Sequence, residues 1–156
     1  MDDDRTATTQ TPFRIYMSHS IRGKNGINAT YEEISANLAH ARKVGTEIKS
    51  YLWDWQTQDG FPELDLYVPA EHDEFVQIAY NRGFLDETEI LACDCEIIDK
   101  CQLVVMYGEP YSRGMHIEYD YAVQNKIPAF KMPIICTETI SALQFVIHLI
   151  LTGKGR

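Results

Sequence analysis

Two kinds of acidic residue in the chain could cleave a glycosidic bond. Glu118 falls about one turn into a predicted helix, next to Ile117 and Tyr121, where a carboxylate loses part of its hydration. Asp94 and Asp99 lie on the preceding predicted helix. If one of them faces the same crevice as Glu118, the pair offers a nucleophile and a proton donor. The alternative is that all three are ordinary solvated helix residues, with Glu118 favoured by the helix dipole.

Two polar segments carry groups that bind phosphate oxygens. The first, Ser18-His-Ser-Ile-Arg-Gly-Lys24, combines hydroxyls, a guanidinium and flexible backbone directly after a predicted strand. The second, Ser112-Arg-Gly-Met-His-Ile-Glu118, places a hydroxyl and a glycine at a predicted helix start, where free backbone N–H groups attract anions. Because the first segment is neither a Walker A loop nor a GxGxxG loop, a solvated turn stays open as its alternative.

Alternating strand and helix patterns predict the elements that position these segments. Apolar runs predict strands at 13–17, 64–68, 102–107 and 128–132, and helical spacing predicts helices from about 31 toward 53 and at about 70–81, 87–100, 115–124 and 137–152, with a loop at 55–63. This alternation favours an α/β fold: an open, mostly parallel, flavodoxin- or Rossmann-like sheet of about five strands with helices on both faces. Ligands of such sheets bind at the carboxyl ends of the strands, so the two polar segments and Glu71-His72 should converge there.

The composition bounds the class of protein. The chain has 156 residues, of which 45% are hydrophobic and 24% charged, and this suits one globular domain over 13–156 behind a short disordered tail at 1–12. The longest mostly apolar stretch, 143–151, is too short to span a bilayer, so no membrane partner is expected. A net charge of -9 without a Lys/Arg run argues against a nucleic-acid polymer, whereas a small anion needs only one local donor cluster. Four irregularly spaced cysteines suit free thiols in a reducing compartment, and we expect a cytoplasmic protein.

Two metal-site patterns are incomplete, and no metal site is predicted. His116-Ile-Glu118 fits the H-x-E pattern of zinc deaminases, yet the required P-C-x-x-C is missing downstream. Cys93-Asp-Cys95 with Cys101 could suggest a metal, but residues two apart on a helix point in different directions. Apolar packing of these thiols is therefore the favoured interpretation.

Taken in order, the motifs resemble those of a known family. The run Ile15-Tyr-Met-Ser-His-Ser-Ile-Arg-Gly23 is similar to the opening strand and loop of the 2'-deoxynucleoside 5'-phosphate N-hydrolases, relatives within the nucleoside 2-deoxyribosyltransferase superfamily. The second polar segment resembles that family's Ser-x-Gly-x-x-x-Glu motif, and the separation of Asp94 from Glu118 matches its aspartate and glutamate. Glu71-His72 resembles a further Glu-His of the phosphohydrolase branch. The likeness extends from about residue 13 to residue 128.

The resemblance implies a role for each matching residue. Glu118 would attack the anomeric carbon of the sugar, Asp94 would assist the leaving nucleobase, and Tyr16 would orient Glu118. His72 would lie near the base. The substrate and its 5'-phosphate would be held by residues of the two polar segments, namely Ser18, His19, Ser20, Ile21, Arg22, Gly23, Ser112, Gly114 and Met115. The family's chemistry needs neither a metal nor an organic cofactor, and its members assemble as homodimers or larger homo-oligomers.

Departures from the family pattern leave several activities open. His19 stands where the family has glycine, and His116 and Ile117 replace smaller or aromatic residues ahead of the nucleophile. The Ile-Arg-Gly loop favours a hydrolase acting on a (deoxy)nucleoside 5'-monophosphate over a nucleoside transferase, and the C-terminal sequence Gly153-Lys-Gly-Arg156 is not expected to supply the transferase branch's aromatic carboxylate. The alternatives are a non-catalytic nucleotide-binding module of the same fold and an NAD glycohydrolase.

Overall fold

All strands of the described structure belong to one parallel sheet. The computed structural model describes residues 11–59 and 61–153, and the first ten residues of the predicted tail lie outside this range. The strands are β1 (Phe13–Ser18), β2 (Leu64–Tyr67), β3 (Leu103–Tyr107) and β4 (Ala129–Met132), in the order β2-β1-β3-β4. The predicted α/β fold with a parallel sheet is confirmed, with four strands in the described residues where about five were expected.

Helices connect the strands and cover both faces of the sheet. They are α1 (Tyr31–Asp59), α2 (Asp73–Asn81), α3 (Glu87–Ile98), α4 (Arg113–Gln124) and α5 (Thr137–Thr152), with 3₁₀ turns at Gly23–Asn28 and Pro69–His72. The loop predicted at 55–63 is wrong over 55–59, where α1 continues to Asp59. No glycine or proline interrupts the helix there, and Trp55 packs on Phe61 with ring centroids 4.7 Å apart. In the described part of the chain, none of the helices is long and apolar enough to cross a membrane.

The sheet separates two hydrophobic layers, because alternate residues of a strand point to opposite faces. Ile15 and Met17 of β1 pack in a core with residues of α1 and α5, whereas Tyr16 packs with residues of α3 and α4. The first four residues of β3 are all buried, as expected of a central strand covered on both faces. The carboxyl ends of β1 and β3, which the two polar segments follow, therefore lie between the two helical layers.

The helices next to the site begin at well-formed caps. At the start of α3, Asp86 and Glu89 form a reciprocal capping box, with bonds of 2.8 and 2.9 Å. At the start of α4, the Ser112 hydroxyl accepts a hydrogen bond of 3.3 Å from the N–H of Met115. A cap of this kind stabilises a helix by about 1 kcal/mol. The caps therefore fix where α3 and α4 begin.

Candidate active site

The carboxylate of Glu118 is buried against the end of β1. The residue is only 6% exposed. The Tyr16 hydroxyl donates a hydrogen bond of 2.8 Å to Oε1, and the Ser18 hydroxyl donates one to Oε2. Both donors lie on the same face of β1 because they are alternate residues of one strand. Each carboxylate oxygen thus has a hydroxyl donor, which holds the group in place and favours its ionised form.

Helical spacing explains why this glutamate is buried. Met115, Glu118 and Ala122 are three and four residues apart on α4 and share one face, and all three are buried. That face packs on Tyr16 and the inner residues of β3. Glu118 is therefore not the solvated first-turn glutamate that was the alternative.

Burial and mutual charge perturb the acid–base groups of the site. Burial raises the pKa of Glu118 to about 7, hydrogen bonds from Ser18 and Tyr16 oppose the rise, and the charge of Asp94 adds to it. Burial raises the pKa of Asp94 to about 6, against a lowering by the Tyr16 hydroxyl. The pKa of Tyr16 is raised well above its ordinary value by burial and by both carboxylates, so its hydroxyl stays protonated and donating. The pKa values of Tyr16 and Glu118 both respond to the charge of Asp94, so its carboxyl group lies near them.

The other candidate aspartate does not join this group. Asp99 is exposed just beyond the end of α3, where it accepts a hydrogen bond of 2.6 Å from the Tyr121 hydroxyl. Of the two aspartates considered, the structure therefore brings Asp94 to Glu118. Among the described residues, no group of three or more His, Cys, Asp or Glu side chains could hold a metal ion.

A stack of aromatic rings extends from the carboxylates toward β2. The Tyr67 ring lies nearly parallel to that of Tyr16 with centroids 5.8 Å apart, and the His72 ring stacks on Tyr67 at 4.7 Å. His72 is thereby linked to the Glu118 side of the sheet, and its place near a base stays a prediction. Tyr67 was not predicted as a site residue. Its only signal is the pairing of Tyr67 with Tyr16 in the β1–β2 register, which the sequence does not reveal.

The loop after β1 is held in a defined conformation. The Ser20 hydroxyl accepts a hydrogen bond of 2.8 Å from the N–H of Gly23, which leaves its own proton free for a ligand. Asn37 of α1 donates to the Ile21 carbonyl at 3.0 Å. Gly23 has φ +65°, and a Cβ there would lie 3.0 Å from the Asn37 amide nitrogen, so the position requires glycine. Asn37, which anchors the loop, carries no sequence signal that marks it.

Arg22 reaches the start of α3. Its guanidinium lies 3.6 Å from the Glu87 carboxylate, and both side chains are partly exposed. An exposed pair of this kind contributes about 0–1 kcal/mol, so a phosphate could recruit the guanidinium at little cost. Ser112 and Gly114 lie at the start of α4, where the free N–H groups of the first turn face outward from the helix end. The predicted phosphate donors thus follow neighbouring strands, β1 and β3.

Three residues predicted to hold the substrate are placed differently. Ser18 is fully buried and its hydroxyl is bonded to Glu118. Met115 is in the core beneath α4, and its N–H is bonded to Ser112. His19 points away from Glu118, and its Nε2 accepts a hydrogen bond of 3.2 Å from the N–H of Ala70. The alternation of side chains along β1 explains the separation of Ser18 from His19.

Two clefts of similar size lie near opposite ends of the strands. One, of about 500 Å³, opens at the carboxyl ends of β1 and β3 on the α1 side, and its lining residues are His19, Ser20, Gly23, Lys24, Asn37, His40, Ala41, Tyr107, Gly108, Glu109, Pro110 and Pro133. The other, also of about 500 Å³, is lined by Trp55, Phe61, Gln144, Phe145 and His148 near the amino end of β2. Only the first cleft adjoins the predicted phosphate loop.

Comparison with known proteins identifies no relative. No family model matches the chain, and neither the curated proteins nor the solved structures give a match. Any function must therefore be argued from the site itself and from the motif resemblance.

Proposed function

We propose that the protein is an N-glycosidase that cleaves the bond between the nucleobase and the sugar of a (deoxy)nucleoside 5'-phosphate. The observation that carries this proposal is the buried Glu118 carboxylate, held by two hydroxyls with Asp94 beside it. Burying a carboxylate near a second carboxyl group costs stability, and groups of this kind are concentrated in active sites.

The proposed reaction proceeds in two displacements. Glu118 attacks the anomeric carbon, the carbon–nitrogen bond breaks, and its electron pair leaves with the base, which takes a proton from Asp94. The product is a glycosyl ester of Glu118. Asp94, now ionised, removes a proton from water, which opens the ester and releases the sugar phosphate with retained configuration. Tyr16 and Ser18 hold the attacking oxygens in place through both steps.

Productive chemistry requires an ionised Glu118 and a protonated Asp94. In the empty site the pKa of Glu118, at about 7, lies above that of Asp94, at about 6, because burial raises both from ordinary values of 4.5 and 3.8. With the two pKa values in this order, the productive state is the minor one in the empty site. Positive charge that develops on the sugar in the transition state favours the ionised form of Glu118, so the site is better matched to the transition state than to the empty protein.

The phosphate is assigned to donors in the loop after β1 and at the start of α4. Ser20, Arg22, Ser112 and the first turn of α4 supply a hydroxyl proton, a guanidinium and backbone N–H groups. A chain with a net charge of -9 offers an anion no general attraction, so binding must rest on such a local cluster.

The direct test is release of free base from a panel of ribonucleoside and deoxyribonucleoside 5'-phosphates, measured by chromatography. Glu118→Gln is expected to abolish release. Glu96→Gln, at an exposed position of α3, is the matched control and should behave like the wild type. Mass spectrometry of rapidly quenched wild-type protein should find the sugar phosphate on the peptide that contains Glu118. Full release by Glu118→Gln would refute the mechanism.

A non-catalytic nucleotide-binding module is the second candidate. The high pKa of Glu118 favours it, because a protonated carboxyl group is not a nucleophile but can still donate a hydrogen bond to a ligand. Nucleotides that raise the melting temperature of the protein without any base being released would decide for this candidate.

A further inference from the structure

The helix α2 turns apolar side chains outward and a charged one inward. Asp73 is 7% exposed and accepts a hydrogen bond of 3.4 Å from the Gln77 amide. Phe75 and Ile78, three residues apart on the outer face, are 76% and 53% exposed. A surface helix of a globular protein normally has the reverse arrangement, with its apolar stripe on the core. Within the described part of the chain, nothing covers this apolar face of α2.

The turn after α2 adds a third large apolar side chain. Gly83 has φ +75°, and its N–H donates a hydrogen bond of 3.0 Å to the Tyr80 carbonyl. The N–H of Phe84 donates one of 2.9 Å to the Ala79 carbonyl. These two bonds and the left-handed glycine form a Schellman motif, which folds the residue after the glycine back toward the last turn of the helix. Phe84 is thereby held at the end of α2, where it is 72% exposed.

Phe75, Ile78 and Phe84 together form what we call the α2 patch. At about 150–250 Å² for a whole aromatic side chain, their exposed fractions leave roughly 300–400 Å² of apolar surface in water. The largest apolar patch on a monomeric protein is typically of about this size and is often functional. Three apolar anchors over residues 75–84 suit the apolar face of one helix.

The charged residues around the α2 patch are mostly acidic. Residues 74–89 carry four exposed carboxylates and one exposed guanidinium, on Glu74, Asp86, Glu87, Glu89 and Arg82. Arg22 pairs with one of these carboxylates, at Glu87, and the rim stays negative. A second copy of the chain would bring two acidic rims together, and like charges across an interface oppose association. A basic partner is attracted to the same rim.

We propose that the α2 patch is a docking site for a basic amphipathic helix of another protein. The apolar face of that helix packs on Phe75, Ile78 and Phe84, and its lysine and arginine side chains lie against the acidic rim. Neither Glu118 nor Asp94 belongs to the patch, so docking does not depend on the proposed cleavage of nucleotides.

Fluorescence anisotropy with a labelled amphipathic peptide of about 18 residues tests this proposal. The peptide has leucine along one helical face and lysine elsewhere, and a second peptide has glutamate in place of every lysine. The lysine peptide should bind the wild type, and the glutamate peptide should bind at least tenfold more weakly. Because salt screens the acidic rim, the affinity for the lysine peptide should fall severalfold between about 50 and about 500 mM NaCl.

Variants of exposed residues locate the contact. Phe75→Ser combined with Phe84→Ser should weaken binding of the lysine peptide at least tenfold. Phe145→Ser is the matched control, because this phenylalanine is 62% exposed but lies on α5. Glu74→Lys should weaken binding roughly three- to tenfold, and more than Asp120→Lys, which changes the net charge equally at an exposed position of α4. All of these side chains are exposed, so their replacement is not expected to disturb folding.

Four results would overturn the proposal. They are no binding of the lysine peptide, equal binding of the two peptides, equal binding of the lysine peptide by the wild type and the double serine variant, and equal effects of Glu74→Lys and Asp120→Lys. Light scattering tests the other occupant. A wild-type dimer that the double serine variant converts to a monomer would assign the α2 patch to a second copy of the chain, and so would also overturn the proposal.

Discussion

Replacing Glu118 by glutamine should remove the activity and stabilise the folded protein at alkaline pH. In the folded protein the pKa of Glu118 rises from an ordinary value of 4.5 to about 7, mainly through burial. Below pH 4.5 the carboxyl group is protonated in both the folded and the unfolded state and costs nothing. As the pH rises, the unfolded state ionises first, so the free energy of unfolding falls until the pH has passed about 7.

The size of this effect follows from the shift. A rise from 4.5 to about 7 corresponds to a loss of about 3 kcal/mol in the free energy of unfolding at pH 8.5. Glutamine cannot ionise, so Glu118→Gln escapes the loss. Relative to the wild type, its free energy of unfolding should rise by about 3 kcal/mol between acid pH and pH 8.5, which for a chain of this length is roughly 6–12 °C in melting temperature.

Urea unfolding of both proteins at pH 4.5 and pH 8.5 measures the difference. Glu96→Gln is the control, because its difference from the wild type should not depend on pH. If the gap between Glu118→Gln and the wild type is the same at both pH values, the carboxylate does not carry the burial cost assigned to it. The stabilised but inactive variant would show that Glu118 is kept for function at the expense of stability.

Three further predictions concern the proposed reaction. Base release should have a bell-shaped pH profile with its maximum near pH 6.5. The rate should fall on the acid side because Glu118 is protonated, and on the alkaline side because Asp94 loses its proton. A rate that is flat from pH 5 to pH 8 contradicts this prediction. Tyr16→Phe keeps the ring but removes a hydrogen bond worth about 1.5–3 kcal/mol to the carboxylate, so the pKa of Glu118 should rise further above that of Asp94. Base release near pH 6.5 should therefore fall roughly ten- to a hundredfold, and the alkaline limb should move up by about one to two pH units. An unchanged rate and an unshifted alkaline limb would leave Tyr16 with a packing role only. Glu87→Gln removes the carboxylate that pairs with the Arg22 guanidinium and so leaves that guanidinium available to a phosphate. KM for phosphorylated substrates should therefore fall by up to roughly fivefold, with kcat unchanged. An increase in KM would contradict this prediction.

The sequence was most informative where structure depends on local pattern. The bounds of α5 and the start of α1 agree with the prediction, and α1 begins at a capping box formed by Thr30 and Glu33. Such features depend on residues a few positions apart, which the sequence shows directly. The end of α1 was missed because the contact of Trp55 with Phe61 depends on how the chain folds back.

The site was predicted less completely than the elements that carry it. Residue types and spacing proposed Glu118 with Asp94 or Asp99, the family resemblance selected Asp94 and added Tyr16, and the structure brings Glu118, Asp94 and Tyr16 together. Tyr67 and Asn37 were missed because each contacts a residue that is distant in sequence. Contacts of this kind follow from strand register and helix packing, which no local pattern encodes.

By itself, the sequence determined the parallel α/β arrangement and a short set of candidate groups. Only the tertiary structure decided their roles. Ser18 and His19 are adjacent in the chain, yet one serves Glu118 and the other lines a cleft on the opposite side of the loop, because side chains alternate along β1. The tertiary structure also buried Glu118 rather than leaving it in water. That burial, and not the residue type, sets its acidity, because the loss of hydration disfavours the charged form.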